Sequence, residues 1–270
     1  MNTQSVSLRA YAKINLVLNI EGTSDGLHLI DTVVTPFNIF DEVNMEKRGD
    51  GEIRVRYTNG PPIENDTARK MAEIIRQEYK TGGVDIEITK KIPMKAGVGG
   101  SSADAGAVAR GMQVLFSLDE IPAHLLLKVG SDVPYMYRGG DKRIRGKGEI
   151  VENVVLPNTY KVLIVAEGGV DTRKCFELYD ILGGENADIG KFLIEINENR
   201  ANFSNALQRA GEELNENISG AITLLKECGF QPCMTGSGSG VFGIEYDKTE
   251  FENKLKKLIK KQPKSQFFIS

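Results

Sequence analysis

The chain has 270 residues, with 34 basic against 37 acidic side chains and a formal net charge of −3. The two signs are interspersed, which excludes the basic stripe of a nucleic-acid or membrane-surface binder and leaves a small molecule as the expected partner. No apolar run approaches the ~20 residues of a membrane helix and residues 1–16 lack a charged-then-apolar leader, so a cytoplasmic location is expected. Three cysteines without a C-x-x-C pair and two histidines suggest neither a disulfide framework nor a zinc set.

Two lobes are expected at this length, because a single core seldom grows beyond ~250 residues. The runs "LRAYAKINLVLNIEG" (8–22) and "HLIDTVVTPFNIFDEVNMEK" (28–47) read as strands. Residues 65–80 open on Asn and Asp cap candidates and carry Ala68, Met71, Ile74 and Ile75 at helical spacing. Residues 84–93 alternate as a strand that Pro93 ends. Then comes "PMKAGVGGSSADAGAVARG", rich in small residues, followed by Val108, Met112 and Leu115 at helical spacing. A near-continuous apolar strand at 159–169 starts a second sheet, and the boundary is placed near Pro157, dividing the chain into 1–156 and 157–270. Helices are expected at 173–182, 205–229 and 248–261, and strands at 231–236 and 240–247.

A glycine loop feeding a helix lets unpaired N–H groups and the positive end of the helix close around an anion, and Ser101 and Ser102 add hydroxyls for phosphate oxygens or Mg²⁺. The plainer alternative is a turn before a helix packed tightly through alanines. A P-loop is excluded, since no Gly-Lys-Ser or Gly-Lys-Thr occurs. Gly238, Gly240 and Gly243 formally spell G-x-G-x-x-G, but the residues after them read as a strand where a dinucleotide fingerprint needs a helix.

Three segments taken in order, "AYAKINLVLNIEGTSDGLH", "PMKAGVGGSSADAGAV" and "MTGSGSGVFGI", resemble the three motifs of the GHMP kinases. "AKINL", "DGLH", "GSDVPYMYRGG" and "GKGE" are similar to elements of one family among them, the kinases of 4-diphosphocytidyl-2-C-methyl-D-erythritol. The resemblance implies an α+β fold of two domains, the first like ribosomal protein S5 domain 2 and the second ferredoxin-like, with the active site between them. It implies an ATP- and Mg²⁺-dependent kinase of a small alcohol, a monomer or homodimer, with Asp132 as the base that takes the hydroxyl proton and Lys13 beside it as the stabilising cation. Nucleotide binding falls to Pro93, Gly97, Gly99, Gly100, Ser101 and Ser102, with Ser102 also toward the metal. Substrate binding falls to Asn15, His28, Thr172, Phe176, Gly236 and Gly238. Independently of resemblance, a lysine inside an apolar strand is costly without a partner, which supports pairing Lys13 with Asp132.

The pattern departs from that family where Leu27 replaces an aromatic that would stack on the base, where Asp104 replaces asparagine, and where the loop is one glycine short. Two functions stay open on the sequence: a kinase of this or another small alcohol, and a fold that binds a ligand without catalysis.

Overall fold

The β-rich start folds into one long hairpin, β1 (Ser5–Ser24) and β2 (Leu27–Arg48), closed by Asp25 and Gly26 at φ of 51° and 73°. Asp-Gly suits this closure, because a two-residue type I′ turn needs both central residues left-handed. In this computed structural model, which describes residues 4–59, 66–261 and 265–270, the elements continue in order. They are β3 (Ile53–Tyr57), α1 (Thr67–Tyr79), β4 (Gly83–Thr89), α2 (Gly100–Phe116), α3 (Ala123–Leu127), α4 (Val133–Arg138), β5 (Lys142–Gly146) and β6 (Ile150–Asn153). The later part holds β7 (Tyr160–Val165), α5 (Thr172–Leu182), α6 (Ile189–Asn197), β8 (Ser204–Asn205), α7 (Gln208–Leu214), α8 (Asn217–Glu227), β9 (Gln231–Met234), β10 (Gly240–Glu245), α9 (Lys248–Lys261) and β11 (Gln266–Ile269).

The hairpin is the spine of a seven-stranded sheet in the order β3-β4-β2-β1-β8, with β4 and β5 sharing the length of β2 and β6 paired to β5. The four-stranded second sheet runs β11-β7-β10-β9 with every neighbour antiparallel. Taken with its helices, the second sheet is a β-α-β-β-α-β arrangement of ferredoxin-like type. The later half of the chain contributes a strand to the first sheet: β8 pairs in parallel with β1 at Val17 and Leu18. Ala12 to Ile20 are buried on both faces of β1.

Local chemistry explains where elements begin and end. Asp66 caps α1 by accepting from the Arg69 N–H at 3.0 Å, whereas the other expected cap, Asn65, lies outside the described residues. The helix expected across 205–229 is instead the short strand β8 followed by α7 and α8. Its break falls at Asn215, whose amide donates to the carbonyls of Glu167 (2.9 Å) and Gly169 (3.1 Å) and whose side-chain oxygen accepts from the Asn217 N–H. An asparagine that bonds its neighbours' backbone competes with helix continuation. The strand expected to reach Pro93 stops at Thr89, because Asp41 draws the N–H groups of Lys91 and Ile92 out of the ladder. The G-x-G-x-x-G run leads into β10, as its reading as a strand requires.

The small residues of α2 serve packing. A Cβ on Gly106 would stand 2.6 Å from the backbone carbonyl carbon of Met136 and 2.8 Å from the Tyr137 nitrogen, so α2 and α4 meet backbone to backbone. Beneath its first turn, Lys90 bridges two buried carboxylates, Asp41 on β2 and Asp104 on α2, the latter at 2.5 Å. Asp104 Oδ1 is buried without a hydrogen-bond partner. Burial, opposed by the Lys90 charge and reinforced by Asp41, raises the Asp104 carboxyl to about 8.

Two stability predictions follow from this packing. Gly106→Ala gains up to ~1 kcal/mol of helix propensity but forces backbone apart, a cost of about 1–3 kcal/mol, so thermal unfolding should show a Tm lowered by a few degrees. For Asp104, a folded-state pKa above the unfolded value makes stability highest below about pH 4 for this group and progressively lost as pH rises toward about 8. Asp104→Asn should therefore flatten that decline, its Tm advantage over the unmodified chain growing from pH 5 to pH 8; an advantage that shrinks instead would show that the carboxylate is stabilised by Lys90.

Candidate active site

Lys13 occupies the middle of β1, 4% exposed, at a place where the strand cannot pair regularly. Register shifts interrupt the hairpin between Tyr11 and Ala12 and between Asn15 and Val17. Between them the Lys13 N–H donates to the Val98 carbonyl of the glycine loop at 3.1 Å. Bulges re-aim side chains, and here they turn a strand residue toward a loop from elsewhere. The Lys13 ammonium donates to Asn15 Oδ1 and lies 3.6 Å from Asp132 Oδ2. Asn15 is itself held, its N–H donating to the Thr235 hydroxyl and its amide to the Thr32 hydroxyl, each at 2.9 Å.

Asp132 begins α4 but makes no capping bond with its side chain, so its carboxylate is not spent on the helix. With its side chain 33% exposed, the carboxylate is open to a ligand while facing a buried cation. The β5–β6 turn supports this loop closely: a Cβ on Gly148 would come within 2.1 Å of the Ser131 carbonyl.

The glycine stretch is placed at the same centre. Gly99, at φ 74°, turns the chain into α2, and a side chain there would meet Met136 at 2.3 Å and the Lys13 stem at 3.4 Å. The first intrahelical bond runs from Ala103 N–H to Gly99 carbonyl at 2.8 Å, so the N–H groups of Gly100, Ser101 and Ser102 precede it. The first turn carries no acidic residue. Such a helix start is suited to an anion. Pro93 enters the loop half-buried, Ser101 is exposed and Ser102 half-buried.

Gly97 has a second duty. Its Cβ would stand 2.2 Å from the Thr235 carbonyl, while a Cβ on Gly236 would stand 2.6 Å from the Gly97 carbonyl, so the second and third glycine motifs meet backbone to backbone. The Ser239 and Gly240 N–H groups donate to Lys95 and Ala96 carbonyls at 3.2 and 3.0 Å. Gly236 and Gly238 are accordingly buried, and the Thr172 hydroxyl reaches this loop through Ser237 at 2.9 Å. His28 and Phe176 are also brought together, but face to face: their ring centroids are 4.7 Å apart at 32°, so one face of Phe176 is covered by imidazole. Leu27 beside them is 52% exposed.

Residues that the motifs did not single out complete the site. Thr235, Ser237, Met136 and Asp180 contact the expected residues directly. Thr235 and Ser237 lie inside the quoted "MTGSGSG", where small polar residues between glycines were the available signal; Asp180 had none, since its partner is 152 residues away.

Comparison with known proteins places this geometry. Residues 66–140 match the model of the GHMP kinases N terminal domain. The 4-diphosphocytidyl-2-C-methyl-D-erythritol kinase of Exiguobacterium sibiricum is 30% identical over 94% of this chain and 92% of its own. That of Polynucleobacter asymbioticus is 32% identical over 97% and 90%. Among solved structures, a 4-(cytidine 5'-diphospho)-2C-methyl-D-erythritol kinase superposes with a TM-score of 0.82 at 24% identity, covering 98% of each chain. The homoserine kinase of Cytophaga hutchinsonii superposes with 0.70 at 16% identity, covering 100% of this chain and 95% of its own. These two structures share the fold; the sequence relatives establish that the chain belongs to the 4-diphosphocytidyl-2-C-methyl-D-erythritol kinase family of the GHMP kinases.

Proposed function

We propose that the chain transfers the γ-phosphoryl group of ATP to the 2-hydroxyl of 4-diphosphocytidyl-2-C-methyl-D-erythritol, yielding the 2-phosphate and ADP in non-mevalonate isoprenoid precursor synthesis. The observation that carries this reading is the buried Lys13 facing a ligand-accessible Asp132 beside the N-terminus of α2.

Asp132 accepts the proton of the attacking hydroxyl, as a carboxylate within hydrogen-bond reach of the nucleophile does. Lys13, held by Asn15, places positive charge beside both that carboxylate and the transferring phosphoryl. The backbone donors of Gly100, Ser101 and Ser102 cradle the phosphates, and the third glycine loop fixes the distance between the cradle and β1 through Thr235 and Gly97. Since little covalent chemistry falls to the protein in phosphoryl transfer, this positioning accounts for most of the catalysis.

Mg²⁺ fits the donors present. Ser102 offers one hydroxyl at the helix start, and among the described residues no group of three or more His, Cys, Asp or Glu forms a cage. Ser102 would hold the ion together with the nucleotide, and the ion would supply charge neutralisation on the phosphates. Lobes 1–156 and 157–270 would then close on the substrate from two sides, the first carrying Lys13, Asp132 and the phosphate helix and the second carrying Thr172 and Phe176.

The spacing of the candidate residues favours a long acceptor. His28 and Pro36, the hairpin partner of Lys13, are eight residues apart on β2, about 26 Å of regular strand. A ligand touching both must be extended, with a recognised group at one end and the reacting hydroxyl at the other. The test is ADP release with 4-diphosphocytidyl-2-C-methyl-D-erythritol against a panel of small alcohols. Preferred turnover of the diphosphocytidyl compound supports the assignment, and efficient phosphorylation of another alcohol alone would remove it. Within that assay, Asp132→Asn should lower kcat by about 10²–10⁴-fold with the KM for ATP nearly unchanged, and retention of most turnover would take the proton-accepting role from Asp132.

A further inference from the structure

One charged side chain outside the phosphoryl-transfer centre ties the carbonyl end of α4 to two other elements. Arg110, in the second half of α2, is half-buried, and among the described residues it makes no ion pair. Its Nη1 donates to the carbonyls of Met136 and Tyr137 and its Nη2 to that of Arg9 on β1, the last two at 3.2 Å. The chain turns away from α4 at Gly139 and Gly140, with φ of 65° and 76°. The Gly139 N–H takes the Tyr135 carbonyl, and the helix does not continue to supply donors to those of Met136 and Tyr137. A guanidinium suits the task, since it presents five donors in a fixed fork and stays charged. Burial pushes it below its ordinary pKa, and the negative end of α4 is the compensation the fold offers in place of a carboxylate.

That helix end leads directly to Asp132. The Met136 N–H donates to the Asp132 carbonyl at 2.9 Å, and the Met136 side chain occupies the space beside Gly99. Gly106, one turn before Arg110 on the same face of α2, meets Met136 backbone to backbone. Arg9, the third acceptor, stands on β1 shortly before Lys13. One guanidinium thus ties together the strand of Lys13, the helix of Asp132 and the helix that starts at Gly100. We propose that Arg110 is a positioning residue that holds α4 against β1 and α2 at the separation where Asp132 faces both Lys13 and the acceptor hydroxyl. The inference rests on the reading of Asp132 as the base. Displacing a reacting group by ~1 Å costs up to about 10²-fold in rate, so a short helix whose last carbonyls lose their donor is a sensitive support for such a group.

The test is a double-mutant cycle on the whole chain: single-turnover phosphoryl transfer to 4-diphosphocytidyl-2-C-methyl-D-erythritol, measured beside ATP binding, for Arg110→Met, Asp132→Asn and the two combined. Arg110→Met should lower the rate by about 10–100-fold with ATP affinity within about threefold of the unmodified chain. In the Asp132→Asn background the same substitution should cost less than about twofold, because the group it positions is already gone. A purely structural role would lower the Tm without producing this coupling. An unchanged rate in folded Arg110→Met, or the same loss in both backgrounds, would overturn the proposal. Should Arg110→Met fail to fold, Arg110→Lys keeps the charge without the fork and carries the same cycle, with a loss of several-fold expected in the Asp132 background alone. Near-original turnover in Asp132→Asn by itself would instead overturn the reading of Asp132 as the base, and that result is seen without any change at Arg110.

Discussion

An ammonium group in the middle of a strand buried on both faces sets the terms for the rest of the site. Lys13 is nearly sealed from water, and an unpaired charge there would cost several kcal/mol. The chain meets that cost with Asn15 at one side and Asp132 at the other. Asn15 shares a strand face with Lys13, two residues on, whereas Asp132 comes from the start of α4. The register shifts on both sides of Lys13 and the bond from its N–H to Val98 are how a strand residue is handed to a loop. Removing a partner from a buried charge is more destructive than replacing the pair with apolar groups, so the arrangement persists only as a unit.

The glycines near this centre answer to two demands at once. At Gly99 a left-handed turn disfavours any side chain, the Lys13 stem and the Met136 terminus crowd the position, and the same turn leaves the first N–H groups of α2 ahead of its first intrahelical bond. At Gly97 the demand comes from the third glycine motif, which lies within backbone contact and also carries the Thr235 hydroxyl that holds Asn15. The start of α2 and the Lys13–Asp132 pair are thus connected through a few backbone contacts and one threonine. A change in any of these loops is transmitted to the others, because close-packed backbone has little room to yield.

Much of this was legible in the sequence wherever the signal was local. The two long strands at the start, the amphipathic pattern of α1, the apolar run of β7 and the strand after "GSGSG" are each set by residues close together in the chain. Lys13 stood out because charge inside an apolar strand demands explanation. What stayed hidden was contact at long range. Asn215 breaks the expected 205–229 helix by bonding carbonyls 46 and 48 residues away. Asp41 ends β4 early from 50 residues away. The short strands β3, β5, β6 and β11 carry too little pattern to be read alone and exist because a long neighbour offers an edge. The stacking of His28 on Phe176, which covers a face expected to be open for a base, likewise depends on how the two lobes meet.

The central claim is that the buried cation serves the chemistry and not merely the fold. Lys13→Met keeps the stem that packs against Gly99 and removes the charge, and Asp132 is exposed enough to remain solvated without its partner. Single-turnover phosphoryl transfer, measured beside ATP binding on the same variant, separates the two roles. The account predicts a rate lowered by about 10²–10⁴-fold with ATP affinity within a few-fold of the unmodified chain. A folded variant that transfers phosphoryl groups at close to the original rate would contradict it.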